Sequence, residues 1–117
     1  MEEQHVVLAR LLGRHRIPEV SPSEAHARQQ AGALIVDVRE PHEWHAGHIP
    51  GARLIPLDEL PMRLHELDPQ RELIVVCRSG NRSAYATALL QQSGFTNVAN
   101  LAGGILAWAR AGLPVTR

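Results

Sequence analysis

The stretch that most constrains this chain is Leu73-Ile74-Val75-Val76, which runs straight into Cys77-Arg78-Ser79-Gly80-Asn81-Arg82-Ser83. Four apolar residues, three of them β-branched, read as a strand buried on both faces, as in a parallel sheet. A helical pattern begins after Ser83, so the segment is strand, tight loop, helix. Open α/β sheets bind ligands in the crevice outside the carboxyl ends of their strands, and Cys77 falls at such an end. Polar and Gly-permissive loop residues can turn their N–H groups inward, making an anion-binding nest that the positive end of the next helix reinforces. A sulfur held there is favoured as the thiolate, the nucleophilic form.

The rest of the chain supplies a sheet for that strand. Ile17-Pro18-Glu19-Val20 reads as a short edge strand, where Pro is tolerated. Ser21-Pro22-Ser23-Glu24 opens a helix to about Ala31, with Ser at the N-cap, Pro first in the helix and Glu placed as in a capping box. Gly32 supplies its left-handed closing residue, and Leu34-Ile35-Val36-Asp37-Val38 follows as a second buried strand. Pro41, Gly47, Pro50, Gly51 and Pro56 interrupt the next stretch, leaving a turn or two of helix around Glu43-Trp44-His45 and a brief strand near Arg53-Leu54-Ile55.

Leu60, Leu64 and Leu67 predict a flanking helix with Asp58 as its N-cap. Beyond the Cys77 loop, Tyr85, Ala88, Leu89 and Gln92 share one helix face, small Ala84, Ala86 and Ala88 permit close approach to the sheet, and Gly94 ends the helix. Asn97-Val98-Ala99-Asn100-Leu101 is the last strand. Gly103-Gly104 then turns into a final helix carrying Ile105, Trp108 and Ala109 on one face, stopped by Gly112 and Pro114. Alternating strands and helices of these lengths predict an α/β, doubly wound parallel sheet. Residues 3 to 15 place Val7, Leu8, Leu11 and Leu12 on one helical stripe, expected to pack on the domain's flank; the alternative is a partner-binding helix.

A length of 117 residues fits one domain. Twelve Lys plus Arg balance twelve Asp plus Glu, so no chain-wide attraction to nucleic acid or membrane is expected. The single cysteine excludes an intramolecular disulfide, a Cys-x-x-Cys redox pair and a multi-cysteine zinc site. His42, His45 and His48 recur every third residue, but Gly47 and Pro50 break the helix that a shared metal-binding face needs, and no metal is expected. The acidic amino terminus and the lack of an apolar run of roughly 20 residues point to a cytoplasmic protein.

Cys77 must therefore act alone or with an outside molecule. Its loop suits a small anion whose centre accepts thiolate attack: a phosphate ester, arsenate or a sulfane-sulfur anion. Cysteine phosphatases use a Cys-x5-Arg loop, whereas here Arg82 falls one position early and position 83 is Ser. The tighter loop suits attack on sulfur. Arg78 and Arg82 add positive charge, and Arg78 at the mouth either selects anionic donors or is simply solvated. Arg39 and Glu43, four apart, are expected to form a structural ion pair or to hydrogen-bond the loop rather than touch the donor. Trp44 and Trp108 read as core or pocket wall.

Three segments in order carry a resemblance to a known family. Asp37-Val38-Arg39-Glu40-Pro41-His42-Glu43-Trp44 followed by Gly47-His48-Ile49-Pro50-Gly51-Ala52 resembles the first signature of the single-domain rhodaneses, the thiosulfate sulfurtransferases. Cys77-Arg78-Ser79-Gly80-Asn81-Arg82-Ser83 is similar to their six-residue active-site loop, and Leu101-Ala102-Gly103-Gly104 with Trp108 to their closing segment. The resemblance implies a five-stranded parallel sheet with helices on both faces, spanning 17 to 117, with 1 to 16 as an added helix. It also implies that Cys77 takes a sulfane sulfur, stores it as a persulfide in the backbone cradle of residues 78 to 82, and hands it to an acceptor. No metal, nucleotide or organic cofactor is required. With no second cysteine, the acceptor is external: cyanide, a small thiol such as glutathione, or a cysteine on a partner protein. A cysteine phosphatase or arsenate reductase on the same architecture, and an inactive rhodanese-like binding module, are the alternatives.

Overall fold

Each apolar run becomes a strand of one parallel sheet in the computed structural model, which describes residues 17–117. The strands are β1 (Glu19–Val20), β2 (Leu34–Asp37), β3 (Arg53–Leu54), β4 (Leu73–Val76) and β5 (Val98–Leu101), in spatial order β1-β5-β4-β2-β3. β4 lies in the middle, with Leu34 to Asp37 beside Leu73 to Val76 on one flank and Val98 to Asn100 beside Leu73 to Val75 on the other. The helices are α1 (Pro22–Gln30), α2 (Pro41–Ala46), α3 (Asn81–Gln92) and α4 (Gly104–Arg110).

Strand side chains alternate between two faces, and each face has its own core. Leu34, Val36, Leu73, Val75 and Val98 meet Ala86 and Leu90 of α3, with Leu60 and Leu67 beneath them. Ile35, Ile74, Val76, Ala99 and Leu101 meet Ala25 of α1 and Ile105 and Trp108 of α4. β2 and β4 are buried along their whole length, which is why they read as apolar runs, β4 unbroken and β2 up to Asp37. Burying each Ile or Val contributes about 1.5–3 kcal/mol, so the central strands anchor whatever is attached to their ends.

Local signals set most boundaries. Ser21 Oγ accepts the Glu24 N–H at 3.2 Å, Pro22 opens α1, and Gly32 follows its C-cap at φ +116°. Glu24 does not complete a reciprocal cap; its carboxylate takes Arg28 Nε at 3.0 Å. The reciprocal capping box sits instead at α2, between Glu40 and Glu43. Pro18 precedes the edge strand β1 and its carbonyl accepts the Asn100 N–H.

Three further expectations need correction. The leucines at 60, 64 and 67 do not lie on one α-helix: Leu60–Met62 and Leu64–Glu66 are separate 3₁₀ turns, split at Arg63, where φ is −119°. Pro61 lacks an N–H and disfavours helical backbone at Leu60, and i, i+3 turns deliver Leu60 and Leu67 to the core equally well. The buried face of α3 is Ser83, Ala86, Thr87 and Leu90, with Ala88 beside it, whereas Tyr85 and Leu89 are half-buried and Gln92 is exposed. Small residues let the helix approach the sheet, so bulk marks its outer side. On α4, Ile105 and Trp108 are buried but Ala109 is exposed. The amphipathic stripe at 3 to 15 lies outside the described residues. Among the described residues, no helix is long and apolar enough to cross a membrane.

Candidate active site

Cys77 is the first residue past β4, at the carboxyl end of the central strand, and is 1% exposed. The turn that follows is shorter than the sequence suggests, because α3 already begins at Asn81. Asn81, Arg82 and Ser83 are thus the helix's first turn, and the sulfur sits where its N–H groups lack intrahelical partners. Gly80, at φ +111°, caps the helix, and its N–H donates to Cys77 Sγ at 3.1 Å. The Ser83 hydroxyl donates to the same sulfur at 3.2 Å. Two donors thus converge on one sulfur at the end of the central strand. Ser83 is fully buried, while Arg78, Ser79 and Asn81 are exposed at the mouth.

Arg82 does not face the sulfur as a free cation. Its guanidinium makes a two-pronged contact with Glu43 of α2, Nη1 to Oε1 at 2.7 Å and Nη2 to Oε2 at 2.9 Å. Those bonds, joined by the Glu40 N–H, hold the Glu43 carboxyl down to about 2 despite the opposing effect of burial. The pairing raises Arg82 in turn. Among the described residues Arg78 makes no ion pair, which leaves it as the loop's unengaged cation.

Arg39 and Glu43 do not pair with each other. Arg39 lies against Asp37, with Nε to both carboxylate oxygens at 2.9 and 3.1 Å and Nη2 to Oδ2 at 2.8 Å. Both side chains are buried, Asp37 completely, and Arg39 Nη2 also reaches the Gly47 carbonyl at 2.8 Å. This pair pins the start and end of the 39–47 segment, and so sets where α2 presents Glu43 to Arg82. Strand-like spacing of two places Asp37 and Arg39 on the same side, a signal that the expected pairing of Arg39 with Glu43 passed over.

His48 Nδ1 donates to the Trp44 carbonyl at 2.9 Å and its ring stacks on Trp44 with centroids 3.6 Å apart. Among the described residues, no three His, Cys, Asp or Glu side chains come together as a metal site. Trp108 is core, with Nε1 donating to the Pro114 carbonyl at 2.8 Å. Sequence reasoning did not single out Asn100, whose Nδ2 donates to the Gly80 carbonyl at 3.2 Å. An amide inside an otherwise apolar buried strand was the available signal.

The chain resembles known proteins in sequence and shape. A sulfurtransferase of Allochromatium vinosum is 48% identical over 82 residues, 70% of this chain and 77% of that one. The thiosulfate sulfurtransferase GlpE of Stutzerimonas stutzeri is 43% identical over 93 residues, 80% of this chain and 83% of that one. The crystal structure of a rhodanese-related protein from Thermoplasma volcanium superposes with a TM-score of 0.80 at 33% identity, covering 85% of this chain and 97% of the other. Residues 21–111 match the model of the rhodanese-like domain, and the chain belongs to that family.

Proposed function

We propose that the protein is a sulfurtransferase in which Cys77 moves a sulfane sulfur from thiosulfate or a similar donor to cyanide or a thiol acceptor. The observation that carries this reading is the sealed Cys77 sulfur with the Gly80 N–H and the Ser83 hydroxyl both donating to it. The Cys77 thiolate attacks the outer sulfur of thiosulfate; the sulfur–sulfur bond of the donor breaks and sulfite leaves with the electron pair. In the second step cyanide or an acceptor thiolate attacks the outer sulfur of the persulfide, forming thiocyanate or a new persulfide, and Cys77 departs as a thiolate. No proton moves at the reacting sulfur in either step, so no general base is needed once the thiolate has formed.

The loop residues divide the work. The cradle of residues 78 to 82, with Ser83 behind it, holds negative charge through both steps. Arg78, exposed and unengaged, draws the anionic donor to the mouth. Arg82 serves as a strut: Glu43 fixes it, while Asp37 and Arg39 hold the segment that carries Glu43. A phosphatase needs a loop arginine free to grip the transferred group, and here the loop's second arginine is already bound in two places.

Purified protein mixed with thiosulfate should gain the mass of one sulfur atom, and Cys77→Ser should not. A wild type that stays unmodified while hydrolysing an aryl phosphate would refute the reading in favour of a phosphatase. A wild type inert in both assays would refute it in favour of a binding module.

A further inference from the structure

Every peptide plane from Cys77 to Asn81 is held by at least one hydrogen bond. The Cys77 carbonyl accepts the Ile105 N–H at 2.9 Å and the Arg78 carbonyl accepts the Leu106 N–H at 3.2 Å, both from α4. The plane between Ser79 and Gly80 is held by its own N–H on Cys77 Sγ at 3.1 Å. The Gly80 carbonyl accepts Ala84 N at 3.1 Å within α3, and Asn100 Nδ2 at 3.2 Å from β5. In a planar trans peptide the carbonyl and the N–H point to opposite sides, so holding one fixes the direction of the other. Among these anchors from outside the loop and its helix, Asn100 is the one that acts through a side chain.

We propose that Asn100 is a positioning residue for sulfur transfer: by gripping the Gly80 carbonyl it fixes the last peptide plane of the Cys77 cradle. The inference rests on the sulfurtransferase reading. Asn100 is 1% exposed and shares the sheet face of Val98 and Val75, the face from which Cys77 leaves β4. Its Nδ2 also donates to Glu19 Oε2 at 3.2 Å on the edge strand β1. Both partners can only accept, which fixes the orientation of the amide. Its Oδ1 is buried without a hydrogen-bond partner among the described residues. A half-satisfied amide in a buried strand is a poor choice for stability, since an apolar residue would leave nothing unpaired. The residue is explained instead by what its NH₂ group holds: the loop on one side and the sheet edge on the other.

The role predicts a rate effect distinct from a folding effect. Asn100→Ala should load sulfur roughly tenfold more slowly at saturating thiosulfate, while the concentration for half-maximal loading stays within about twofold. Loading is read as persulfide mass gain against time, with thermal melts confirming that the variant is folded. Glu19→Gln keeps an acceptor for Asn100 and should load within about twofold of wild type. Glu19→Gln combined with Asn100→Asp keeps an amide–carboxylate contact between the two positions but leaves no donor for Gly80; it should be as slow as Asn100→Ala. The double variant decides the matter if the alanine variant does not fold. Wild-type loading in either folded variant overturns the proposal. If the wild type itself takes no sulfur from thiosulfate, the functional reading has failed, and iodoacetamide alkylation of Cys77 tests the positioning role alone. Slower alkylation in the variants supports it, and equal or faster alkylation overturns it.

Discussion

Replacing Glu43 by Gln is the sharpest probe of the strut that stiffens the loop. The substitution keeps an acceptor for the Glu40 N–H and the shape of the side chain, but removes the charge that Arg82 grips. In the fold the carboxyl titrates at about 2, against an ordinary 4.5. At about 1.36 kcal/mol per pH unit, that gap limits the contribution of the pair to about 3.4 kcal/mol. Arg82 is 37% exposed, so water screens the pair, and a loss of about 1–2 kcal/mol at neutral pH is the reasonable expectation. The folded value lies below the unfolded one, so the stabilisation is complete above pH 4.5 and is lost as the pH falls through 2. Urea unfolding of wild type and Glu43→Gln, run from pH 7 downward, should show the two curves converging, with less than about half the neutral-pH difference left at pH 3. A difference that is the same at pH 7 and pH 3 would show that the carboxylate charge is not what stabilises the contact. No difference at pH 7 would dismiss the strut altogether.

Gly104→Ala should lower stability by roughly 3 kcal/mol in thermal or urea unfolding, because a Cβ there would lie 2.6 Å from the Cys77 carbonyl oxygen and closer still to that of Arg78, at a φ of +63°. Asp37→Asn strips the charge that faces buried Arg39 and should cost about 3–5 kcal/mol; a cost near zero would mean that water reaches the guanidinium. Arg78→Ala should raise the thiosulfate concentration for half-maximal loading several-fold while changing the loading rate constant little, whereas a pure fall in the rate constant would contradict its part in attracting the donor.

The sheet was legible because β2 and β4 are buried on both faces and so carry apolar runs of three and four residues that no surface helix would tolerate. The Cys77 loop was legible because polar residues abruptly replace that run. Periodicity failed where it is degenerate: leucines spaced four and three apart suit an α-helix, yet the Pro61 region satisfies them with 3₁₀ turns. It misjudged α3 because the face against the sheet is built from Ser83, Ala86 and Thr87, while the bulkier Tyr85 drew the eye to the outer side. Pairings across long separations leave no local trace. Glu43 and Arg82 stand 39 positions apart and Asn100 and Gly80 twenty, and only the parallel sheet, by bringing the ends of β2, β4 and β5 together, makes them neighbours.

The depth of Cys77 also sorts the molecules that can react with it. At 1% exposure the bare sulfur is shut off from anything that must approach in bulk, so an oxidised glutathione or another protein's disulfide meets a wall. A persulfide extends the reactive centre by one sulfur–sulfur bond, about 2 Å. On the sulfurtransferase reading, the empty protein reacts with small donors alone, and the loaded protein offers its outer sulfur to larger acceptors. The same recess would thus guard the resting thiol against adventitious oxidation and admit a large acceptor only when there is a sulfur to collect.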